Sequence, residues 1–192
     1  MKKSEIIYRE ILDNVIEKNN RTFTQLELSR KLNISLSNVN NSIKPLRSMG
    51  AIIVNLKNFK VIDPKKILLY WASVRNLEKD IIYRTRVDKE VRKIESEMPS
   101  QIIFAAYSAY KFKFKDVPAD YSEVYIYSDE KDIEEIKKRF PENNKVPNLF
   151  VLKKDSVMKE ISTSQIFVDL WNVKEWYAKD FLDALKKKME VE

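Results

Sequence analysis

Short hydrogen-bonding side chains gather in one stretch of the chain. Within SLSNVNNSIKPLRSMGAIIV, residues 35–54, stand Ser37, Asn38, Asn40 and Asn41, followed by Lys44, with no carboxylate among them. An asparagine amide can hold an adenine edge through paired hydrogen bonds, and Ser, Asn and Lys all reach phosphate oxygens. The chemistry on offer is recognition of a polyanion that carries hydrogen-bonding edges.

Covalent chemistry is far more restricted. The chain has no histidine and no cysteine, which excludes a Ser-His-Asp triad, a Cys-His nucleophile, a disulfide framework and ordinary zinc or haem ligation. A single glycine, Gly50, excludes both the P-loop and the dinucleotide fingerprint, each of which needs several glycines so that backbone can approach phosphate. Catalysis would need carboxylates with Mg²⁺, or a Lys or Ser site. The densest acids are Asp129, Glu130, Asp132, Glu134 and Glu135, interleaved with Lys131, Lys137, Lys138 and Arg139. They read as the solvated first turns of a helix, where acids favour the dipole, rather than as metal ligands. No catalytic residue, metal or cofactor is expected.

Charge is divided unevenly. Residues 1–66 hold 13 Lys/Arg against 6 Asp/Glu, whereas residues 67–192 hold 23 of each, so the whole net charge of +7 lies in the first third. A basic segment joined to a neutral one is the electrostatic footprint of a nucleic-acid module attached to something else. With no apolar run of membrane-spanning length, no secretory leader and no cysteine, the expectation is a cytoplasmic protein without a membrane partner.

The elements that must position these residues follow from periodicity and caps. Ile7, Ile11 and Val15 mark one face of a helix from Ser4 to about Lys18. Thr24 with Glu27 forms a capping box, and Phe23 with Leu28 its hydrophobic staple, opening a helix at Gln25–Leu32. After an Asn33-Ile34 turn, Ser35 caps a third helix whose inward face is Leu36, Val39, Ile43 and Leu46, and whose other face carries the polar set. Two short helices joined by a tight turn make a helix-turn-helix. Pro45 should loosen the last turn, and Gly50 supplies the left-handed residue that ends the helix. Strands near Ala51–Val54 and Phe59–Ile62 flank a turn around Asn55–Asn58.

Asp63-Pro64 stops the hairpin and starts a helix packed through Ile67, Leu68, Trp71 and Val74. Strands are then expected at Ile81–Val87, Glu123–Asp129, Asn148–Lys154 and Gln165–Trp171, a buried strand or strand-to-helix stretch at Gln101–Tyr107, and helices at Asp88–Glu97 and Asp129–Phe140. Asn172 with Glu175 forms a further capping box, with Trp171 and Trp176 at staple spacing, for a last helix from Val173 to about Met189. Trp171, Trp176, Tyr177 and Phe181 read as core or as a partner-facing ridge. The expected fold class is α+β, with domains at 1–62 and 81–192 and a linker helix at 63–80.

The order of helix, Gly50, strand, basic turn and strand after a helix-turn-helix, with Leu46-x-x-x-Gly50-Ala51-Ile52, resembles the winged helix-turn-helix family. That resemblance implies a third helix in the major groove of double-stranded DNA, with Ser37, Asn38, Asn40, Asn41 and Lys44 as readers. It also implies Arg47 as a backbone contact, Lys57 and Lys60 as wing contacts to phosphate, and a homodimer on two half-sites. Further on, FAAYSAYKF, ADYSEVYIY and IFVDLWNVKEWYAKDFLDALKKK resemble the C-terminal domain of AbiEi-type antitoxins of type IV toxin–antitoxin systems, a domain related to the nucleotidyltransferase fold. By that resemblance the C-terminal mixed α/β domain would be nucleotidyltransferase-like and catalytically degenerate. Ala105-Ala106-Tyr107-Ser108 has no glycine at the turn, and Glu123 stands alone where two acids would clamp Mg²⁺. The function so implied is a DNA-binding transcriptional regulator, an autoregulating antitoxin in one form, with a cognate toxin or other protein as partner of the C-terminal domain. The alternatives are a Mg²⁺-dependent nucleotidyltransferase-like enzyme and a winged helix used only for protein contact.

Overall fold

The structure is a computed structural model and describes residues 1–189. The chain forms two compact units. The first is Met1–Arg75 together with Ser162–Val168, and the second is 76–161 together with 169–189 of the described chain.

The first unit runs α1 (Lys3–Lys18), β1 (Thr22–Phe23), α2 (Gln25–Leu32), α3 (Leu36–Ser48), β2 (Ile52–Val54), β3 (Phe59–Val61) and α4 (Pro64–Val74). Its apolar spacing places Ile7, Ile11 and Leu12 of α1, Leu28 of α2, and Val39, Ile43 and Leu46 of α3 in one core. The antiparallel sheet has the order β1-β3-β2, with Thr22 opposite Lys60 and Phe23 opposite Phe59. The rings of Phe23 and Phe59 stack at 5.6 Å. Strand β1 is too short to carry a period, so composition does not announce it. Phe23 therefore acts both as the staple residue before α2 and as a sheet residue.

Helix α4, expected as a linker, packs within the first unit through buried Ile67, Leu68, Trp71 and Ala72. Asp63 caps it, its Oδ1 accepting from the Lys66 amide at 3.0 Å, and Pro64 occupies the first turn, where no backbone donor is lost.

The second unit holds a mixed four-stranded sheet of β4 (Ile81–Thr85), β5 (Ile103–Ala105), β6 (Val124–Ser128) and β7 (Leu149–Lys153), in the order β4-β7-β6-β5. Only β6 and β7 run parallel. All of β6 is buried, which explains its continuous run VYIYS without polar alternation. The helices of this unit are α5 (Val91–Ser96), α6 (Ala106–Phe114), α7 (Ile133–Arg139) and α9 (Ala178–Lys188), while α8 (Thr163–Asn172) belongs to the first unit up to Val168 and to the second from Asp169. Val124, Ile126, Leu149 and Val151 pack with Ile94, Ile136 and Phe140 in one core.

Two expectations are corrected here. Gln165–Trp171 is not a strand; it lies inside α8. Ile166, Phe167, Val168 and Leu170 are all buried, so the apolar run wraps round the helix and hides its 3.6-residue period. Gln165 and Asp169, one helical turn apart, are buried too, and Asp169 accepts from the Tyr127 hydroxyl at 2.8 Å. The second correction concerns the last helix, which begins at Ala178 rather than Val173, so Asn172 ends α8 instead of capping α9. Glu175 does not serve a capping box. Its carboxylate accepts from the Tyr107 hydroxyl at 3.0 Å and the Tyr125 hydroxyl at 3.3 Å, bonds that compete with any local cap. Trp176 is 82% exposed, so no staple forms.

Candidate nucleic-acid interface

The helix-turn-helix is built from side chains that satisfy helix ends. Thr24 Oγ1 accepts from the Glu27 amide at 3.0 Å and starts α2. Asn33 ends it in the left-handed conformation (φ 52), a region that Asn tolerates better than most residues. The Ser29 hydroxyl then donates to the Ile34 carbonyl at 2.7 Å and fixes the turn. Ser35 caps α3, accepting from the Asn38 amide.

At the far end of α3, Gly50 has φ +70. Its amide bonds to the Arg47 carbonyl at 3.0 Å, and the Ala51 amide bonds to the Leu46 carbonyl at 2.9 Å. These two bonds form a Schellman motif, and they aim the chain directly into β2. A Cβ at residue 50 would meet nothing within 4 Å, so glycine is demanded by the backbone angle and not by crowding. Pro45 does not interrupt the helix, which continues to Ser48. The Tyr8 hydroxyl donates to the Ser42 carbonyl at 3.0 Å and ties the inner side of α3 to α1.

The predicted readers are not equivalent. Ser37, Asn40, Asn41, Lys44 and Arg47 are exposed. Asn38 is half-buried, and its amide donates back to Ser35 Oγ at 2.9 Å, so it belongs to the cap more than to the outer face. Lys44 Nζ donates to Asn41 Oδ1 at 2.9 Å, which orients the pair along the helix surface. Lys57 and Lys60 are exposed on the hairpin. Its turn is closed by the Asn55 amide on the Asn58 carbonyl at 2.8 Å and by the two side-chain amides at 3.0 Å.

Four of the six acids of this unit are occupied within the fold, Asp63 caps α4, and Glu27 is exposed in the first turn of α2. Glu5 is buried with Arg75, and Glu10 pairs with Lys31. Glu17 accepts from the Thr163 amide and hydroxyl, each at 3.0 Å, and Asp13 accepts from the Ser164 hydroxyl. All four lie on α1. Lys44, Arg47, Lys57 and Lys60 make no ion pair among the described residues, so their charge is available to an external anion.

One expected core residue, Leu36, is 49% exposed at the start of α3. With Leu26, Val54 and Leu56 it lines an open groove of about 330 Å³, between the starts of α2 and α3 and the hairpin turn. Thr24, Gln25, Asn55, Lys57, Asn58 and Phe59 complete the lining, and none of these residues is acidic. The signal was present in the pattern: by helical spacing Leu36 falls between Ile43 and Asn40, at the edge of the inward face.

In the second unit, Ser108 is fully buried on α6 and Glu123 lies just before β6. Glu123 accepts from the Tyr177 hydroxyl, and burial followed by the nearby Glu175 charge raises its carboxyl above the ordinary range. Around Tyr107, the rings of Tyr121, Tyr125, Tyr177 and Phe181 close an aromatic cluster with centroids 5.0–6.3 Å away. Sequence reading missed the part Glu175 plays in that cluster. Four of the five acids of the Asp129–Glu135 cluster pair with lysines and arginine as a solvated face does: Asp129 with Lys154, Glu130 with Lys153, Glu134 with Lys137 and Glu135 with Arg139.

Residues 7–53 match a protein-family model described as winged helix-turn-helix DNA-binding. The match starts in α1 and ends within β2, and the hairpin completed by β3 supplies the wing. The first unit thus carries a winged helix-turn-helix domain, within a mixed α+β chain. No curated protein and no solved structure matches the chain. Among the described residues, no helix is long and apolar enough to cross a membrane.

Proposed function

We propose that the protein is a cytoplasmic, sequence-specific DNA-binding regulator of transcription. The observation that carries this reading is the outer face of α3 and the wing. Ser37, Asn40 and Asn41 offer hydrogen bonds there, Lys44, Arg47, Lys57 and Lys60 offer unpaired positive charge, and the four acids of α1 are engaged within the fold. In this reading α3 enters the major groove, and the wing lysines hold the backbone. Asn38 contributes through the Ser35 cap.

The second unit would supply homodimerisation, effector sensing or a protein partner. A dimer supports the reading because two half-sites multiply the selectivity of one short helix. An autoregulating antitoxin role, with a cognate toxin, rests on the likeness of the C-terminal sequence to AbiEi-type antitoxins and on domain order. A nucleotidyltransferase-like but inactive second unit rests on the same likeness. Glu123 and Glu175 both receive tyrosine hydroxyls, a setting that suits a structural cluster and not a pair of metal ligands.

The test is a DNA titration at two salt concentrations, with genomic fragments that include the protein's own promoter. A preferred fragment whose affinity falls steeply with salt supports the reading. Absence of binding at low salt overturns it, and the winged helix would then be a protein-contact module.

A further inference from the structure

The apolar groove beside the readers needs an occupant. Leu36, Asn40, Lys44 and Arg47 follow one another at intervals of three to four residues and are all exposed, so they form one stripe along α3. The stripe is graded from an aliphatic group, through an amide, to two cations. At its apolar end lies the groove with Leu26, Val54 and Leu56, the last 99% exposed.

Charge complementarity selects what would fill it. No acid lines the groove, Lys57 stands on its rim, and the cations of the stripe continue from it. A polyanion fits that surround, and the groove then calls for an apolar feature carried on a polyanion. Duplex DNA has one such feature in the major groove, the C5-methyl of thymine, which sits beside the adenine N6/N7 edge of its own base pair. An asparagine one helical turn from a leucine matches that juxtaposition.

We infer that α3 reads A·T pairs through two side chains at once, with Asn40 on an adenine edge and Leu36, backed by the groove, on a thymine methyl. Leu36 is a specificity-determining residue that acts by burying a methyl group. This rests on the DNA-binding reading above, and its test separates the two.

A short duplex selected by the full-length protein from a random pool is resynthesised with deoxyuridine in place of thymidine. That change removes the methyls and leaves the phosphates and adenines in place. The expected result is a loss of about fourfold in affinity for each methyl contacted, the worth of one buried CH₂-sized group. Leu36→Ala should bind the thymine and uracil duplexes equally. Asn40→Ala should bind both more weakly, while it keeps the preference for thymine over uracil.

Equal binding of both duplexes by the wild type overturns the inference, although DNA binding itself stands. So does a Leu36→Ala variant that still distinguishes them. A Leu36→Ala variant that instead changes the oligomeric state in sedimentation velocity also overturns it, since the groove would then seat a second copy of the chain. If no duplex is selected at all, the DNA-binding reading fails first.

Discussion

Glu5 Oε2 accepts from Arg75 Nη1 at 3.1 Å with both side chains buried, so the first turn of α1 is locked to the residue that ends α4. The indole Nε1 of Trp71 lies 3.4 Å from the same carboxylate oxygen. The expected linker helix is therefore a structural member of the winged-helix unit, anchored by an ion pair and an aromatic donor. Removing one partner leaves the other charged and buried, which typically costs about 3–5 kcal/mol. Arg75→Ala should destabilise the protein by that order in urea unfolding. Replacing both residues with apolar ones of similar volume should recover much of the loss. A single-variant cost near zero would mean that the pair is not buried in solution.

Gly50 makes a second, smaller prediction. Its φ of +70 is costly for a residue with a Cβ, yet no atom waits to clash with one. The penalty should therefore be the backbone term alone, roughly 1–2 kcal/mol for Gly50→Ala. Gly50→Asn should cost less, because Asn tolerates the left-handed region. Thermal unfolding of the two variants measures the difference. If Ala and Asn proved equivalent, or either were neutral, the Schellman geometry would not hold in solution.

Salt dependence should report the cations one at a time. Lys44, Arg47, Lys57 and Lys60 are exposed, without ion pairs among the described residues. Each one that touches phosphate should lower the slope of log affinity against log salt by roughly 0.9 when changed to Ala. Lys31, which pairs with Glu10, makes an internal control that should leave the slope unchanged. A slope that no single change moves would place the phosphate contacts elsewhere.

Much of this interface could be read from the chain because helix ends are local. Thr24, Ser35, Asn33 and Gly50 fix the boundaries of α2 and α3 through bonds to residues at most five positions away. What escaped the sequence depends on partners far along it. Strand β1 exists because Phe23 meets Phe59. The cap expected at Asn172 and Glu175 is absent because Tyr107 and Tyr125 engage Glu175. Helix α8 passed for a strand because full burial removes the polar face that would have displayed its period. Leu36 was misplaced for a simpler reason: the inward stripe was extended one position too far toward the helix start.

The return of residues 162–168 to the first unit brings a pH dependence that can be worked out. Asp13 of α1 is pushed up to about 6 from an ordinary 3.8, chiefly by burial, with the Ser164 and Ser162 hydroxyls pulling the other way and Glu17 adding a further upward push. Arg9, also on α1, lowers it slightly. The folded state thus holds a proton on Asp13 over a range where the unfolded chain has released it, between about pH 4 and about pH 6. More protons bound in the folded state means that stability falls as pH rises through that window, then levels off above it. The carboxylate should therefore cost the folded protein about 3 kcal/mol at neutral pH. Asp13→Asn keeps an oxygen to accept from Ser164 and carries no charge. It should stabilise the protein above about pH 6, leave it little changed near pH 4, and remove most of the slope between. Urea midpoints across that range decide the matter. A variant no more stable than wild type at pH 7 would show that Asp13 is solvated.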